Sequence, residues 1–476
     1  MKALAARGHQ ITVISPDPLK TPVANYTDID LSISYQHWKE KVVNADMRDV
    51  GPVDQEYIYH DVFYDIVDYQ LSSPQVQALI KSNPKFDLVV SEKLFFPAYY
   101  GLVHHVGSPP VVSVISFGGK SVHHSTIGNP SNPSYIPDVL TYTSDHMNFW
   151  ERLYNTYVNV KLHYIWHYYI LPRQEVLLRK HFGSAPPPVA VSDFNDSLLI
   201  LCNHWSLGYP KPMLPNVLEV TGLHVETKRK PLPKDIKSFF DGAKHGVVYF
   251  SLGSNVRSEN LPKEIVQQIL QAFSEIPQRV LWKWEADTLP GLPANVMLKK
   301  WLPQQDILAH PNIRVFITQG GLQSFQEAAY HGVPLIAIPF MADQPYNAAK
   351  YIAAKIGVKL EVKDLTKGNL LEAIGKVVND SSYRDNMKKF SAVFREEMEP
   401  SLDRAIWWIE YVLRHNGARH LRSAALDLAW YQYLLLDVIA FVAVAVLAAA
   451  LVSYLIVKKI FSFIKSYFSS PKLKKN

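Results

Sequence analysis

Apolar, β-branched stretches alternate with amphipathic helical patterns along most of the 476-residue chain. In the first half, strands are predicted near residues 10–15, 86–92 and 111–116, with helices between them. A second series of strands and helices begins near Gly246 and continues to about Gly357. This alternation is typical of parallel sheets with crossover helices, so the predicted fold class is α/β.

The chain is long enough for two domains, because single hydrophobic cores stop growing at about 250–300 residues. A Lys- and Pro-rich stretch over residues 226–237 is predicted to be a solvated linker. It separates a Rossmann-like domain over residues 1–225 from a second one over residues 238–425. Two such domains would face each other across a cleft, where ligands bind at the carboxyl ends of the strands.

Residues 438–457 form a run of twenty positions without a charge. At 1.5 Å per residue, this run is long enough to cross the ~30 Å hydrocarbon core of a bilayer. The juxtamembrane segment 426–437 is aromatic and the tail 458–476 is rich in lysine, so a transmembrane helix is predicted with the tail in the cytosol and the body in the lumen. A buried globular helix is the alternative.

The net charge of +6 arises in that tail, which carries six lysines, and the rest of the chain is electrically balanced. Nucleic acid is therefore not an expected partner. Cys202 is the single cysteine, which excludes an intrachain disulfide.

The start of the chain reads as the interior of a helix, followed by Gly8 at the helix end. A lumenal body needs a signal peptide, but residues 1–15 contain no apolar segment of that kind. We therefore expect a signal peptide and a first strand ahead of Met1.

Residues 141–173 are unusually aromatic. The pattern predicts a packed helical hairpin. A lining for an apolar small-molecule pocket and a membrane-facing surface are equally compatible with this composition.

The most informative segment runs from residue 316 to residue 344. A strand is predicted to end at Thr318, and two glycines then turn the chain into a helix. The free N–H groups and the dipole of such a helix start favour phosphate. Gln319 and Ser324 could add donors, and Glu327 could accept from sugar hydroxyls. A glycine pair before a helix is also common as a simple turn.

The whole spacing, including Pro334, Pro339, Asp343 and Gln344, resembles the signature of the UDP-glycosyltransferases, membrane-bound inverting enzymes of GT-B fold. The resemblance implies an acceptor-binding domain over residues 1–225 and a UDP-sugar-binding domain over residues 238–425. It also implies a UDP-sugar as co-substrate, no cofactor and no metal.

The resemblance further assigns roles in the donor site. Trp301 would stack on uracil, with a core tryptophan as the alternative, and Gln304 would bind the nucleoside. Glu327 would hold the ribose, and Asp343 with Gln344 would hold the sugar hydroxyls. The diphosphate would lie near four further residues, which are Gly253, Ser254, Gln319 and Gly321.

Two departures from the family pattern favour UDP-glucose over UDP-glucuronic acid. Gln319 stands where many members have histidine, and Gln323 with Ser324 replaces an Asn-Gly pair. An amide can still donate to a phosphate oxygen, but it adds no positive charge.

In the family, a histidine deprotonates the acceptor hydroxyl, and a carboxylate orients that histidine. Glu92 is the matching carboxylate here, with a solvated strand-end charge as the alternative. The histidine itself is expected ahead of Met1.

The predicted function is transfer of a sugar from UDP-glucose or UDP-glucuronic acid to a hydroxyl of a small lipophilic acceptor, as in detoxification. A dilysine-like ending, residues 472–476, indicates the endoplasmic reticulum membrane, and a homo-oligomer is possible. Two other classes stay open. One is a UDP-sugar-binding relative impaired in transfer, and the other is a dinucleotide-dependent oxidoreductase, which lacks the expected G-x-G-x-x-G motif.

Overall fold

The computed structural model describes residues 1–42, 50–225 and 230–469. It contains two compact units, the first over Met1–Arg422 and the second beginning at Ser423. Residues 226–229 of the predicted linker and the dilysine-like ending lie outside the described residues.

The first half of unit 1 contains a four-stranded parallel sheet of order β3-β4-β5-β6 and a two-stranded parallel pair, β1-β2. Helices surround these strands. The elements are α1 (Lys2–Ala6), β1 (Ile11–Ser15), β2 (Tyr26–Asp30), α2 (Ser34–Val42), α3 (Gln55–Ser72), α4 (Pro74–Ser82), β3 (Val89–Glu92), α5 (Tyr100–His105), β4 (Val111–Ile115), α6 (Ser121–Thr126), α7 (Phe149–Ile165), α8 (Leu171–Phe182), α9 (Val189–Ser192), β5 (Leu198–Leu201) and β6 (Val217–Glu219).

The second half contains a six-stranded parallel sheet of order β12-β11-β10-β7-β8-β9. Its first helix begins inside the stretch predicted as linker. The elements are α10 (Lys234–Asp241), β7 (Val247–Ser251), α11 (Lys263–Glu275), β8 (Arg279–Lys283), β9 (Val296–Lys299), α12 (Gln304–Leu308), β10 (Ile313–Thr318), α13 (Leu322–His331), β11 (Leu335–Ala337), α14 (Gln344–Ala353), β12 (Gly357–Lys359), α15 (Lys367–Asn379), α16 (Ser381–Arg395) and α17 (Ser401–Arg414).

Parallel strands with helices on both faces confirm the predicted α/β class. The six-stranded sheet is covered on each side by a separate hydrophobic cluster, which explains why its strands are continuous apolar runs. Local signals set the helix ends. Ser73 accepts a hydrogen bond from the N–H of Val76 at the start of α4, and Gly332 adopts a left-handed conformation after α13.

The pattern of residues 141–173 predicts a packed helical hairpin, but the structure does not form one there. Helices α7 and α8 instead run on from each other through a π-helical turn, Trp166–Ile170. Pro172 is the second residue of α8, which begins directly after this turn, and it has no N–H to continue the α-helical ladder. The wider turn accommodates the proline, so the helix does not reverse.

Helix α17 returns from the second half to the first. Its residues Ala405, Ile406 and Ile409 pack in one cluster with Val112 of β4 and Leu198 of β5. The two halves are therefore held together within unit 1.

The second unit contains α18 (Trp430–Tyr433) and the 34-residue helix α19 (Leu436–Ser469). Helix α19 has a mean hydropathy of 2.7 in its most apolar window and is long enough to cross a bilayer. It includes the apolar run predicted from the sequence.

Candidate active site

An open cleft lies in unit 1 between its two halves. The second half contributes Gln319, Gly321, Asp343 and Gln344 to its lining. Much of the opposite wall is aromatic and comprises Tyr35, Trp38, Tyr59, Phe63, Phe95, Phe96 and Phe117. A largely polar wall thus faces a largely aromatic wall across the cleft.

The start of α13 opens onto this cleft. Strand β10 ends at Thr318, Gly320 turns the chain with a φ of +89°, and Gly321 is the N-cap residue. The first N–H groups of a helix have no acceptor within the helix, so this end can bind an anion. The N–H of Leu322 faces the carboxylate of Asp343, which therefore lies at the same helix start.

Gln319 packs directly over two glycines. A Cβ at Gly253 would lie 2.2 Å from Nε2 of Gln319, and a Cβ at Gly321 would lie 3.0 Å from the same atom. Gly253 also has a φ of +77°, which disfavours other residues. The turn after β7 and the turn after β10 are thus brought together by one side chain. Ser254 is exposed in the first of these turns.

Gln304, Ser324 and Glu327 form one hydrogen-bonded group. Nε2 of Gln304 donates to Oγ of Ser324 at 3.0 Å and to Oε2 of Glu327 at 2.7 Å. The hydroxyl of Tyr249 donates to Oε1 of Gln304 at 3.0 Å. Trp301, three residues before Gln304, is 74% exposed and is therefore not a core tryptophan.

Asp343 and Gln344 lie where the loop after β11 leads into α14. Oε1 of Gln344 accepts from the backbone N–H groups of Phe340 and Met341, which holds the loop. Asn347 donates to Asp343 at 2.7 Å. Burial nevertheless raises the pKa of Asp343.

Glu92 is not among the residues that line the large cleft. It lies at the end of β3, where it lines a small neighbouring cavity with Lys93, Phe96 and Asp193. Phe96 lines both spaces. Burial raises the pKa of Glu92 to about 7, although Lys120 and the N–H of Leu94 act in the opposite direction.

A buried charged network supports the end of β3. Lys93 binds Asp196 at 2.5 Å and Asp193 at 3.1 Å. Tyr100 and Ser113 also donate to Asp196, and Trp166 donates to Asp193, so the carboxylates are well partnered. The network fixes Lys93, and with it the backbone next to Glu92. Sequence reasoning did not find this network, because its members are far apart in the chain.

A second buried pair lines the cleft. Lys120 binds Glu56, and His60 lies 3.7 Å from the same carboxylate oxygen. Burial alone would raise the pKa of Glu56, but Lys120 and His60 outweigh it and lower the pKa to about 2. This pair was also missed.

A sequence signal for the pair exists. Glu56, Tyr59, Phe63, Ile66 and Gln70 of α3 are spaced by three or four residues, and all five line the cleft. This spacing is that of one helix face. Because Tyr59, Phe63 and Ile66 follow one another on it, the face looks like the buried face of an ordinary amphipathic helix.

Within the described ranges, no group of three or more His, Cys, Asp or Glu residues is placed to hold a metal ion.

Comparison with solved structures defines the class of protein. The fold is similar to the calicheamicin glycosyltransferase CalG4, with a TM-score of 0.54, 20% identity, and coverage of 87% of this chain and 93% of that one. It is also similar to UDP-glucose: anthocyanidin 3-O-glucosyltransferase in complex with UDP, with a TM-score of 0.54, 14% identity, and coverage of 87% and 94%. These neighbours have the GT-B fold, so the predicted architecture is confirmed.

Sequence comparison then gives the family. The model described as "UDP-glucoronosyl and UDP-glucosyl transferase" matches residues 1–471. UDP-glucosyltransferase 2 of Dactylopius coccus is 37% identical over 100% of this chain and 92% of that protein. UDP-glucuronosyltransferase 2B7 of Homo sapiens is 33% identical over 93% and 86%. The chain belongs to this family and is a UDP-glycosyltransferase, as the sequence predicted.

Proposed function

We propose that the protein transfers glucose from UDP-glucose, in preference to glucuronic acid, to a hydroxyl of a small lipophilic acceptor with inversion at C1. The arrangement around α13 carries this proposal. Its N-terminus opens onto a cleft that is polar on one wall and aromatic on the other. Such a cleft suits a charged donor and an apolar acceptor.

The donor would bind along the second half of unit 1. Its diphosphate would lie at the start of α13, beside Gln319 and the turn with Gly253 and Ser254. Uracil would stack on the exposed face of Trp301, and the nucleoside would contact the group formed by Gln304, Ser324 and Glu327. Asp343 and Gln344, which line the cleft, would hold the sugar hydroxyls.

The reaction would proceed by attack of the acceptor oxygen on C1 from the face opposite UDP. The acceptor proton would pass to a general base, which the family resemblance implies is a histidine, with Glu92 as the carboxylate that stabilises the imidazolium. The helix N-terminus and donors such as Gln319 would stabilise the negative diphosphate, so no metal ion is required for that role.

The preference for glucose is supported by the charges in the cleft. The cationic side chain on its described lining is Lys120, and Glu56 already neutralises it. Gln319 is a neutral donor. A glucuronic acid carboxylate would therefore lack an unpaired cation among the described lining residues.

The donor site is tested by assaying transfer from UDP-glucose and UDP-glucuronic acid to a panel of lipophilic phenols. We expect greater transfer from UDP-glucose. Gln344→Ala should lower turnover about 10-fold or more, because it removes a contact to the reacting sugar, while UDP still binds. Loss of UDP binding in this variant would mean that the sugar site is misplaced.

A second candidate function is UDP-sugar binding without efficient transfer. It is favoured by the lining of the cleft, which contains no histidine among the described residues. Binding of UDP without measurable transfer by the 476-residue chain would support this candidate. Transfer at ordinary rates would reject it and would require another base.

We also propose that α19 anchors the protein in the endoplasmic reticulum membrane as a single span, with unit 1 in the lumen and the Lys-rich tail in the cytosol. The length and hydropathy of α19 support the span. The lysines that follow its most apolar part support the orientation.

A further inference from the structure

A short segment that leads from the first half of unit 1 to the second, residues 220–225, runs along α13 and is called here the connecting segment. The backbone N–H of Gly222 donates to Oε1 of Gln326 at 3.2 Å, and Nε2 of Gln326 donates to the carbonyl of Cys202 at 3.0 Å. Gln326 is 2% exposed and directly precedes Glu327. The connecting segment is therefore fastened to the part of α13 that carries Glu327.

His224 of the connecting segment lies beside the carboxylate of Glu327. Its Nε2 is 3.4 Å from Oε1 of Glu327. Nε2 of Gln305 is shared between the two residues, because it donates to the carbonyl of His224 at 2.8 Å and to Oε1 of Glu327 at 3.3 Å. One glutamine thus ties the backbone of His224 to the oxygen that its ring approaches.

The two carboxylate oxygens of Glu327 have different surroundings. Oε1 faces Gln305 and His224, whereas Oε2 accepts from Nε2 of Gln304 at 2.7 Å. An ionised carboxylate has about four acceptor positions, so Oε2 can accept a further hydrogen bond from a ligand hydroxyl. Contacts at Oε1 therefore fix the carboxylate, while Oε2 remains suited to a ligand.

Burial makes the contacts at Oε1 important. Glu327 is 7% exposed, and a buried carboxylate is unfavourable unless donors satisfy it. Within the described ranges, His224 is the residue with an ionisable nitrogen within 4.0 Å of this carboxylate. An imidazole Nε2 can donate a hydrogen bond both in a neutral tautomer and in the protonated ring. His224 is therefore placed to hold Glu327 in one orientation.

We propose that His224 positions Glu327 to accept hydrogen bonds from the ribose of the donor, so that the site distinguishes a ribonucleotide from its dideoxy analogue. The proposal rests on the proposed UDP-sugar site, in which Glu327 belongs to the group that contacts the nucleoside. Without the imidazole, Gln305 would be the described donor that remains at Oε1, and the carboxylate could turn away from the ribose. His224 acts through Glu327, so it is a positioning residue.

The test compares UDP with 2′,3′-dideoxy-UDP, which lacks both ribose hydroxyls, by calorimetric titration of the purified full chain. The discrimination ratio is the Kd of dideoxy-UDP divided by the Kd of UDP. It is measured for the parent, for His224→Ala and for His224→Gln, which keeps an amide donor in place of Nε2. His245→Ala is the matched control, because His245 is exposed just before β7, at the end of the sheet opposite the cleft.

We expect a discrimination ratio of about 10 or more in the parent, since hydrogen bonds to charged groups are among the stronger ones. His224→Ala should lower the ratio at least about 3-fold by weakening UDP, while the Kd of dideoxy-UDP changes less than about 2-fold. His224→Gln and His245→Ala should keep the ratio within about 2-fold of the parent.

A parental ratio in His224→Ala would overturn the proposal. Equal weakening of both ligands would show that His224 only supports the connecting segment, and it would also overturn the proposal. A glutamine variant as poor as the alanine variant would overturn the donor role of Nε2.

The His224 side chain is 35% exposed, so the variants are expected to fold, and thermal unfolding without ligand checks this. His224→Leu is a second variant without a donor and should repeat the result of His224→Ala. The proposed function and the role of His224 fail in different ways. If UDP does not bind the parent, the UDP-sugar site fails and the role of His224 with it. If UDP binds the parent with a ratio near 1, the UDP-sugar site stands and the role of His224 fails.

Discussion

Gln319 shows how much of the proposed donor site depends on a single side chain. Its amide lies so close to Gly253 and Gly321 that neither position has room for a Cβ without movement of Gln319. Its Oε1 also accepts from the hydroxyl of Thr318 at 2.9 Å. One neutral amide therefore fixes the two turns that the family resemblance assigns to the diphosphate.

Glu92 gives a prediction about pH at the scale of one residue. Its pKa is raised to about 7 from an ordinary value of 4.5. The folded protein therefore holds this proton more tightly than the unfolded chain. Between about pH 4.5 and 7, the contribution of Glu92 to stability should fall as the pH rises.

Glu92→Gln removes this dependence. The difference in unfolding free energy, variant minus parent, should be larger at pH 8 than at pH 5. The increase should be on the order of 1–2 kcal/mol after allowance for partial exposure of Glu92. Urea unfolding of both proteins at the two pH values measures the difference. If the difference in unfolding free energy between the two proteins is the same at pH 5 and pH 8, Glu92 is ionised and solvated in the folded protein at both pH values.

At the scale of elements, the strands of the second half could be predicted from the sequence. Strands such as β7 and β10 are short apolar runs next to glycines, and they are buried on both faces of a parallel sheet. The start of α13 was equally visible, because two glycines separate it from β10.

The helices of the first half were harder to predict. Helix α7 continues through a π-helical turn into α8, and nothing in a hydrophobic pattern separates that outcome from a hairpin. The sequence also did not reveal that one face of α3 lines the cleft. Residues on a helix face are three or four positions apart whether that face borders a ligand site or a hydrophobic core, so the spacing does not distinguish the two.

Helix α19 provides the prediction about orientation. If α19 spans the membrane with the tail in the cytosol, trypsin added to sealed microsomes should cleave at Lys458 and Lys459 and remove only the tail that follows them. The body should be digested after detergent opens the vesicles. Digestion of the body in sealed vesicles would contradict the lumenal orientation.

At the scale of the whole molecule, the two halves are joined by contacts that the sequence could not reveal. Gln323 of α13 donates to the carbonyl of Ser116 after β4, and Lys350 of α14 donates to the carbonyl of Gly208. These partners are more than one hundred residues apart in the chain. These contacts form only when the two halves of unit 1 are assembled, so the sequence does not reveal them. The α/β class, in contrast, can be predicted from the local hydrophobic pattern alone.

The cleft beside α13 is expected to bind a UDP-sugar. The most direct measurement is thermal unfolding of the purified full chain with UDP, with NAD, and without ligand. UDP at about 100 times its Kd should stabilise the protein by ~2.7 kcal/mol, and NAD should have no effect. Trp301→Ala should need on the order of 5- to 150-fold more UDP, since stacking is worth ~1–3 kcal/mol. Protection by NAD but not by UDP would show that the cleft is not a UDP-sugar site.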